Sequence, residues 1–294
     1  RPPRSTLFPY TTLFRSKGIV LSSISDCMPQ RIISECLSHN IAPMIGLDTC
    51  LKALHHAYRC AKVFSREPLA PIQILNNASD QLFNEVVLNE FDAKRKLNKS
   101  GLTTPSGCSV SSVFNALDAA ENLGYPVTVK VLSKTISHKS EQNGVRLNIS
   151  DQESLVQAVN ELLEIEPTLL IEEMVEEVVV ELIIGVNTDP LFGNYLVLGC
   201  GGVLVELLND SVPLLMPVSR EDVVQALSQL KVYPLLEGYR GSAAGDIEAI
   251  IDSVMAIVGF IEVHEVLELD INPLLVLKEG KGAVAVDALV KLRC

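Results

Sequence analysis

Three strand patterns follow one another from Thr168 to Leu198 with no helix between them. Thr168–Met174, Val178–Val186 and Asn194–Leu198 are rich in Val, Ile and Leu and are joined by short polar turns. Strands linked this closely pair antiparallel, because a parallel neighbour needs a long crossover. A second hairpin is written into Val266–Leu277 and Ala283–Val286, which flank the turn Glu279–Gly282. Tyr125–Leu132 and Val145–Ile149 add two alternating strands. Helical periodicity lies between these elements. Glu90–Lys99 is stopped by Gly101. Ser111–Leu123 is capped by Gly124 and is expected to turn Val113, Phe114, Leu117 and Ala120 inward. Asp151–Ile165, a helix opened by Ser219 with Asp222 in near-capping-box position, and Asp246–Ile261 complete the set. The mixture defines an α+β unit that begins near Leu88.

The residues before it read differently. Gly18–Ser23 and Ala42–Ile45 are short buried-strand patterns. Each is followed by a helix: Pro29–His39, with Ile32, Ile33, Cys36 and Leu37 on one stripe, and a helix capped by Asp48 that runs through Leu51, Leu54 and Ala57. Strand–helix–strand–helix predicts a parallel α/β layer, of which two strands are only a part. Residues 66–87, with Pro68, Pro71 and an Asn-Asn-Ala-Ser-Asp run, read as a linker. Leu7–Ser16, LFPYTTLFRS, reads as one frame of a sequencing-adapter oligonucleotide, so residues 1–16 are expected to be foreign to the natural protein.

Charge limits the partners. The net charge is −12 and no segment concentrates Lys or Arg, which argues against a nucleic-acid ligand. A small anion can still be held locally by lysine, backbone N–H groups and Mg²⁺. The seven cysteines show no C-x-x-C pair, and the simple reading is a reducing cytoplasm. Apolar runs such as Val178–Val186 are broken by Glu181 and are too short to cross a bilayer.

Four places can carry chemistry. Lys130 lies between Val129 and Val131 in a strand pattern. It either pairs with an anion on an inner face or sits on the solvent face of an edge strand, and periodicity alone favours the second. His138, in the polar loop Ser133–Gly144, is a potential nucleophile toward phosphorus, although a loop histidine is more often idle. Gly199–Gly202 (GCGG) after a strand is a weak anion-nest signal. Asp270 and Asn272 in ELDINPLL share a strand face, and the hairpin can bring Asp287 opposite. That oxygen set suits Mg²⁺, while an Asn-Pro turn accounts for the same residues equally well.

The order of these motifs resembles a known family. LNEFDAKRKLNKSGLTTPSG (Leu88–Gly107) resembles the opening of the succinyl-CoA synthetase β subunit. LGYPVTVKV, ISHKS, NGVRLNI, LIEEMV, VELIIGVNTDPLFG, GCGGVLVELLND, LLEGYRG, ELDINPLLVL and VDAL follow as in ADP-forming acetate–CoA ligases. The resemblance covers roughly Leu88 to Leu292. It implies an ATP-grasp fold of two α+β lobes over residues 88–294, preceded at residues 17–65 by the end of a flavodoxin-like CoA-ligase domain. It implies ATP/ADP and Mg²⁺ as cofactors and CoA bound by a part outside this chain, in cis or as another subunit. By motif, Lys130 would grip the phosphates, Glu173 and Val175 would meet the adenine, Glu181 would lie near the nucleotide, and Gly201 and Gly202 would form the glycine loop. Asn272 and Asp287 would hold the metal, His138 would be transiently phosphorylated, and Asp270 would steady the phosphohistidine. The implied reaction is acid + CoA + ATP giving acyl-CoA, ADP and phosphate. The loop departs from the family's common HKSDVGGV in reading HKSEQNGV, so that Asn143 replaces a glycine, and Leu214 stands where many members carry arginine. Two other readings stand beside it: a carboxylate–amine ligase with no histidine relay, and a non-catalytic nucleotide-binding fragment.

Overall fold

A computed structural model describes residues 18–23, 27–65, 84–133, 144–189, 191–202 and 210–293. The chain forms two compact units, Arg1–Ala70 and Pro71–Cys294.

In the first unit β1 (Gly18–Ser22) pairs parallel with β2 (Ile41–Ile45), and α1 (Gln30–Ser38) and α2 (Leu47–Phe64) follow the two strands. The parallel strand–helix pattern is the one read from the sequence. The core is small: Ala42, Met44, Cys50 and Ala53 cluster together. Leu37, expected on the inner stripe of α1, is exposed, as are Leu51 and Leu54 of α2, because the two-stranded sheet covers only a narrow face of each helix. Asp48 lies in the first turn of α2 rather than before it.

The second unit is built on two antiparallel sheets. Its helices and strands are, in order, β3 (Glu85–Val87), α3 (Glu90–Lys99), β4 (Gly107–Val110), α4 (Val113–Leu123), β5 (Val127–Val131), β6 (Val145–Ile149), α5 (Gln152–Leu163), β7 (Leu169–Glu173), β8 (Val180–Asp189), β9 (Gly193–Cys200) and β10 (Ser211–Leu215). They continue with α6 (Arg220–Leu227), α7 (Tyr233–Leu236), α8 (Ile247–Val263), β11 (Val266–Val276), β12 (Ala283–Ala285) and β13 (Ala288–Arg293). The small sheet has the order β4-β7-β5-β6. The large one runs β10-β9-β8-β11-β13-β3, with β12 also on β11. Residues 85–87, read from the sequence as the end of a linker, are instead an edge strand of the large sheet, with Val87 opposite Lys291.

Each sheet buries one face under helices. In the large sheet Leu182, Ile184, Leu198, Leu269 and Val290 meet Ile250, Val254, Ile257 and Phe260 of α8 and Val223 and Leu227 of α6. In the small sheet Val127, Val129, Val131 and Ile171 meet Leu155, Val159 and Leu162 of α5 and three alanines of α4. Ala120 points inward as expected, and Val113 and Leu117 pack against the same core, but Phe114 is 80% exposed and Ala116 and Ala119 take its place. At about 100° per residue Phe114 lies roughly 200° around from Ala116, and only small side chains let the helix approach the sheet closely. The helix starts follow local chemistry: Asn89, Ser112, Asp151 and Asp246 each accept a backbone N–H of the first turn. Ser219 and Asp222 close a full capping box.

Candidate functional site: a charged cleft between two sheets

All five residues of β5 are buried, and the strand lies between β7 and β6. Lys130 is therefore neither at a sheet edge nor in solvent, which overturns the reading that periodicity favoured. Val127, Val129 and Val131 face the helices, so alternation sends Lys130 out through the opposite face. There its ammonium donates to Glu90 Oε1 at 2.9 Å and to the carbonyl of Val286, and lies 3.0 Å from Glu172 Oε2. Lys94 completes the group, at 2.6 Å from Glu90 Oε1 and 2.8 Å from both oxygens of Glu172. Two ammoniums and two carboxylates thus alternate in a closed ring in which every member is buried. Buried charge is tolerated only when paired, and here each charge touches two of opposite sign. Burial opposes the charge on Lys130, but the carboxylates of Glu90, Glu172 and Asp287 outweigh it and hold the pKa above the ordinary lysine value. Lys94 shifts the other way, through burial and then repulsion from Lys130, against the pull of the same two glutamates.

The sequence did not single out Glu90, Lys94 or Glu172. The available signal was the i,i+4 pair Glu90–Lys94 on a helix. Nothing in the sequence marks Glu172 rather than its neighbour Glu173 as the residue that reaches the lysines. Glu173 has another task. Its Oε1 accepts the Ser106 N–H at 2.8 Å, and its own N–H donates to the Ser106 carbonyl at 3.0 Å. The chain from Glu173 to Val175 is thereby anchored where it leaves the small sheet, with Met174 N–H on the Pro126 carbonyl at 3.1 Å. Gly107 is needed beside it, since a Cβ there would come 2.5 Å from the Ile171 carbonyl.

The large sheet supplies the opposite wall. Glu181 is the second residue of β8, and its carbonyl accepts the Gly201 N–H at 2.7 Å. A Cβ on Gly201 would lie 2.9 Å from that carbonyl carbon, and one on Gly202, at φ +69°, would strike the Glu181 carboxylate. Close approach at one position and a left-handed backbone at the next both call for glycine. In β11 the pairing shifts register between Ile271 and Leu274. Ile271 faces Ala288 across to β13, and Val286 N–H donates to the Pro273 carbonyl at 3.2 Å. Asn272 and Asp287 therefore stand opposite each other, and the strand runs through Asn-Pro rather than turning there. One Asp287 oxygen accepts the Ala288 N–H at 2.8 Å.

These walls enclose a cleft of about 290 Å³. Lys130, Glu173, Val175, Glu181, Asn272 and Asp287 all line it, together with Glu172 and an apolar group that includes Pro105, Leu147, Met174, Val178 and Leu275. Gly201 and Gly202 abut it through Glu181. Asp270 is on the same strand face two residues before Asn272, opposite Gly185, and is not among the lining residues. His138 lies outside the described residues. A wider, open depression at the start of α5 is lined by Asp151, Gln152, Glu153 and Val156 and gathers none of these groups.

Two facing α+β lobes with a lysine, apolar side chains and a pair of oxygen-bearing side chains between them have the architecture of a nucleotide-clasping fold. Residues 82–292 match the ATP-grasp domain family, and the chain belongs to it. Within that family it is homologous to the β subunits of ADP-forming acetate–CoA ligases. It is 35% identical over 214 residues to the β subunit of acetate–CoA ligase (ADP-forming) II from Pyrococcus furiosus, covering 69% of this chain and 91% of that subunit. It is 30% identical over 299 residues to the acetate–CoA ligase (ADP-forming) of Methanocaldococcus jannaschii, a match that takes in 94% of this chain but only 42% of the longer ligase. A solved structure of acetyl-coenzyme A synthetase 1 from Candidatus Korarchaeum cryptofilum holds coenzyme A and Mg-AMPPCP, with its phosphohistidine segment pointing towards the nucleotide-binding site. It superposes with a TM-score of 0.61 at 34% identity, over 70% of this chain and 93% of that one. Among the described residues no helix is long and apolar enough to cross a membrane.

Proposed function

We propose that this chain is the nucleotide-binding half of an acyl-CoA synthetase that couples acid + CoA + ATP to acyl-CoA, ADP and phosphate through a phosphohistidine. The observation that carries the reading is the convergence of Lys130, Asn272 and Asp287 on one cleft that is also lined by an apolar group and by the anchored segment Glu173–Val175. The apolar group takes the adenine, with Leu147 and Leu275 as its contacts and the backbone near Val175 reading its edge. Lys130 takes the phosphates, and the side-chain-free turn at Gly201–Gly202 lets the backbone pass close beside them. Asn272 and Asp287 offer two oxygen ligands on adjacent strands, a donor set that fits Mg²⁺, since that ion takes one or two protein oxygens and completes its shell with phosphate and water. Bound there, Mg²⁺ would neutralise charge on the phosphates. Phosphoryl transfer asks the protein chiefly for in-line positioning and charge neutralisation, which a lysine fixed on a central strand provides. His138 is the proposed phosphoryl carrier and Asp270, two residues before the cleft-lining Asn272, its support.

The acyl and CoA sites belong in this proposal to a partner, either a further part of the same polypeptide or a second subunit. The Pyrococcus relative is a separate β subunit and the Methanocaldococcus relative is longer than this chain. The latter match leaves about 18 of 294 residues uncovered, so it includes most of the first unit. That supports assigning residues 17–65 to the end of a flavodoxin-like ligase domain, and the cysteine pattern fits a cytoplasmic enzyme.

The test is incubation with labelled ATP and Mg²⁺. Acid-labile, alkali-stable label on His138, absent from His138→Ala although that variant still binds ATP, is the expected result. ATP binding without any phosphohistidine would remove the relay. Absence of ATP binding would remove the nucleotide assignment.

A further inference from the structure

The ring of four buried charges is larger than a phosphate grip requires. Lys130 and Glu172 reach the cleft surface, whereas Lys94 lies behind them, 3% exposed and not part of the lining. Lys94 comes from α3, which packs on β13 and α8 and places Ala93 and Leu97 in the large-sheet core. Glu172 and Lys130 come from β7 and β5 of the small sheet. The ring therefore joins the two walls of the cleft, and Lys94 touches both of the carboxylates that also hold Lys130.

With Lys94 in place the two carboxylates are matched by two ammoniums. With Lys94 neutral, both carboxylates would fall on Lys130 alone, and the group would carry a net negative charge at the point where an anion is to arrive. Glu90 Oε1 shows the sharing directly, accepting from Lys94 at 2.6 Å and from Lys130 at 2.9 Å. We propose that Lys94 is a positioning residue for phosphate recognition: it neutralises Glu90 and Glu172 from behind, so that the Lys130 ammonium can exchange a carboxylate partner for a phosphate oxygen. The inference rests on the nucleotide reading of the cleft and adds to it a residue that touches no ligand.

The test uses the full chain and two variants, Lys94→Met and the double variant Lys94→Met with Glu90→Gln, in which the remaining pair Lys130–Glu172 is again neutral. Each is titrated calorimetrically with Mg–ATP and, separately, with adenosine, which carries the base but no phosphate. One unmatched charge at roughly 6 Å, with an effective dielectric near 20, changes affinity on the order of 100-fold. Lys94→Met is therefore expected to lose on the order of 100-fold in Mg–ATP affinity while adenosine binding stays within about threefold, and the double variant is expected to recover most of the loss. A merely structural lysine would weaken both ligands together, or neither, and either result overturns the proposal. So does a double variant that folds but still binds Mg–ATP weakly. Where Lys94→Met itself melts below the assay temperature, Lys94→Gln, which removes the charge but keeps a hydrogen-bond donor, takes its place: a loss confined to Mg–ATP supports the proposal, and equal loss for both ligands, or for neither, refutes it. If the unaltered chain binds neither ligand, the nucleotide reading fails, and that outcome is distinct from the others.

Discussion

Replacing Lys130 by Met tests whether the buried ring is structural as well as functional. The side chains are close in length, so the change removes charge and hydrogen bonds with little change in volume. Lys130 sits 2.9 and 3.0 Å from two carboxylates. At an effective dielectric near 20 a full charge pair at that distance amounts to about 5 kcal/mol, and the cost of burying the ions cancels part of it. Deleting one partner leaves Lys94 facing two carboxylates, with Asp287 close by, and uncompensated buried charge of this kind costs about 3–5 kcal/mol. For a unit of this size each kcal/mol lowers the melting temperature by about 2–4 °C, so a fall of roughly 6–20 °C is expected in a calorimetric scan. The surface pairs of Arg220 with Glu248 and Asp252 are the control: those groups are largely solvated, and Arg220→Ala is expected to move the transition far less. A melting point for Lys130→Met within about 2 °C of the parent would refute the reasoning, because the ring would then have to be hydrated rather than buried.

Three further changes probe the frame around the cleft. Gly202→Ala places a Cβ against the Glu181 carboxylate at φ +69°; it is expected to cost about 1–2 kcal/mol in denaturant unfolding and to weaken Mg–ATP binding by more than that. Asp210 is buried and accepts the N–H groups of Lys231 at 2.9 Å and Val232 at 3.1 Å. Asp210→Ala is expected to destabilise by about 2–3 kcal/mol in the same assay, since two donors lose a charged acceptor. Ser219→Ala opens the capping box of α6 and is expected to cost about 1 kcal/mol, with nucleotide affinity unchanged.

Much of the frame could be read from the sequence because it is encoded locally. The helix Glu90–Lys99 has the bounds that its periodicity and Gly101 indicate, and the Ser219 start was visible as a cap. The strands that escaped notice, β3, β4, β10 and β13, are three to six residues long, and β10 contains Pro213. Such segments are strands because a neighbour pairs with them, and their own residues do not announce it. The same distinction runs through the site. Lys130, Asn272 and Asp287 came from motif order, and the fold brings them to one cleft. The ring escaped because its contacts join residues 78 and 40 positions apart, from Lys94 to Glu172 and from Glu90 to Lys130. No periodicity carries that information. The direction of Phe114 failed for a related reason: the sheet selects alanines at its contact with α4, and a hydrophobic residue nearby is then free to face outward.

The charge of the cleft leads to a requirement that lysine alone does not meet. Behind its surface Lys94 and Glu90 cancel. Among the described residues lining it are the carboxylates of Glu172, Glu173, Glu181 and Asp287 against the ammonium of Lys130, within a protein of net charge −12. A bare triphosphate entering this space meets more negative charge than positive, and the low local dielectric strengthens the repulsion. A divalent cation held by Asn272 and Asp287 would reverse that balance, because it would bring the largest local charge in the site. ATP affinity is therefore expected to fall by on the order of 100-fold or more when Mg²⁺ is replaced by EDTA, whereas adenosine affinity should be indifferent to the exchange. Asp287→Asn should shrink the Mg²⁺ effect on ATP by about 10–100-fold, the range seen when groups supporting a metal site are lost. Calorimetry at fixed ionic strength measures both. If metal-free ATP bound as tightly as Mg–ATP, the phosphates would have to lie away from these carboxylates, and the orientation of the nucleotide proposed here would be wrong.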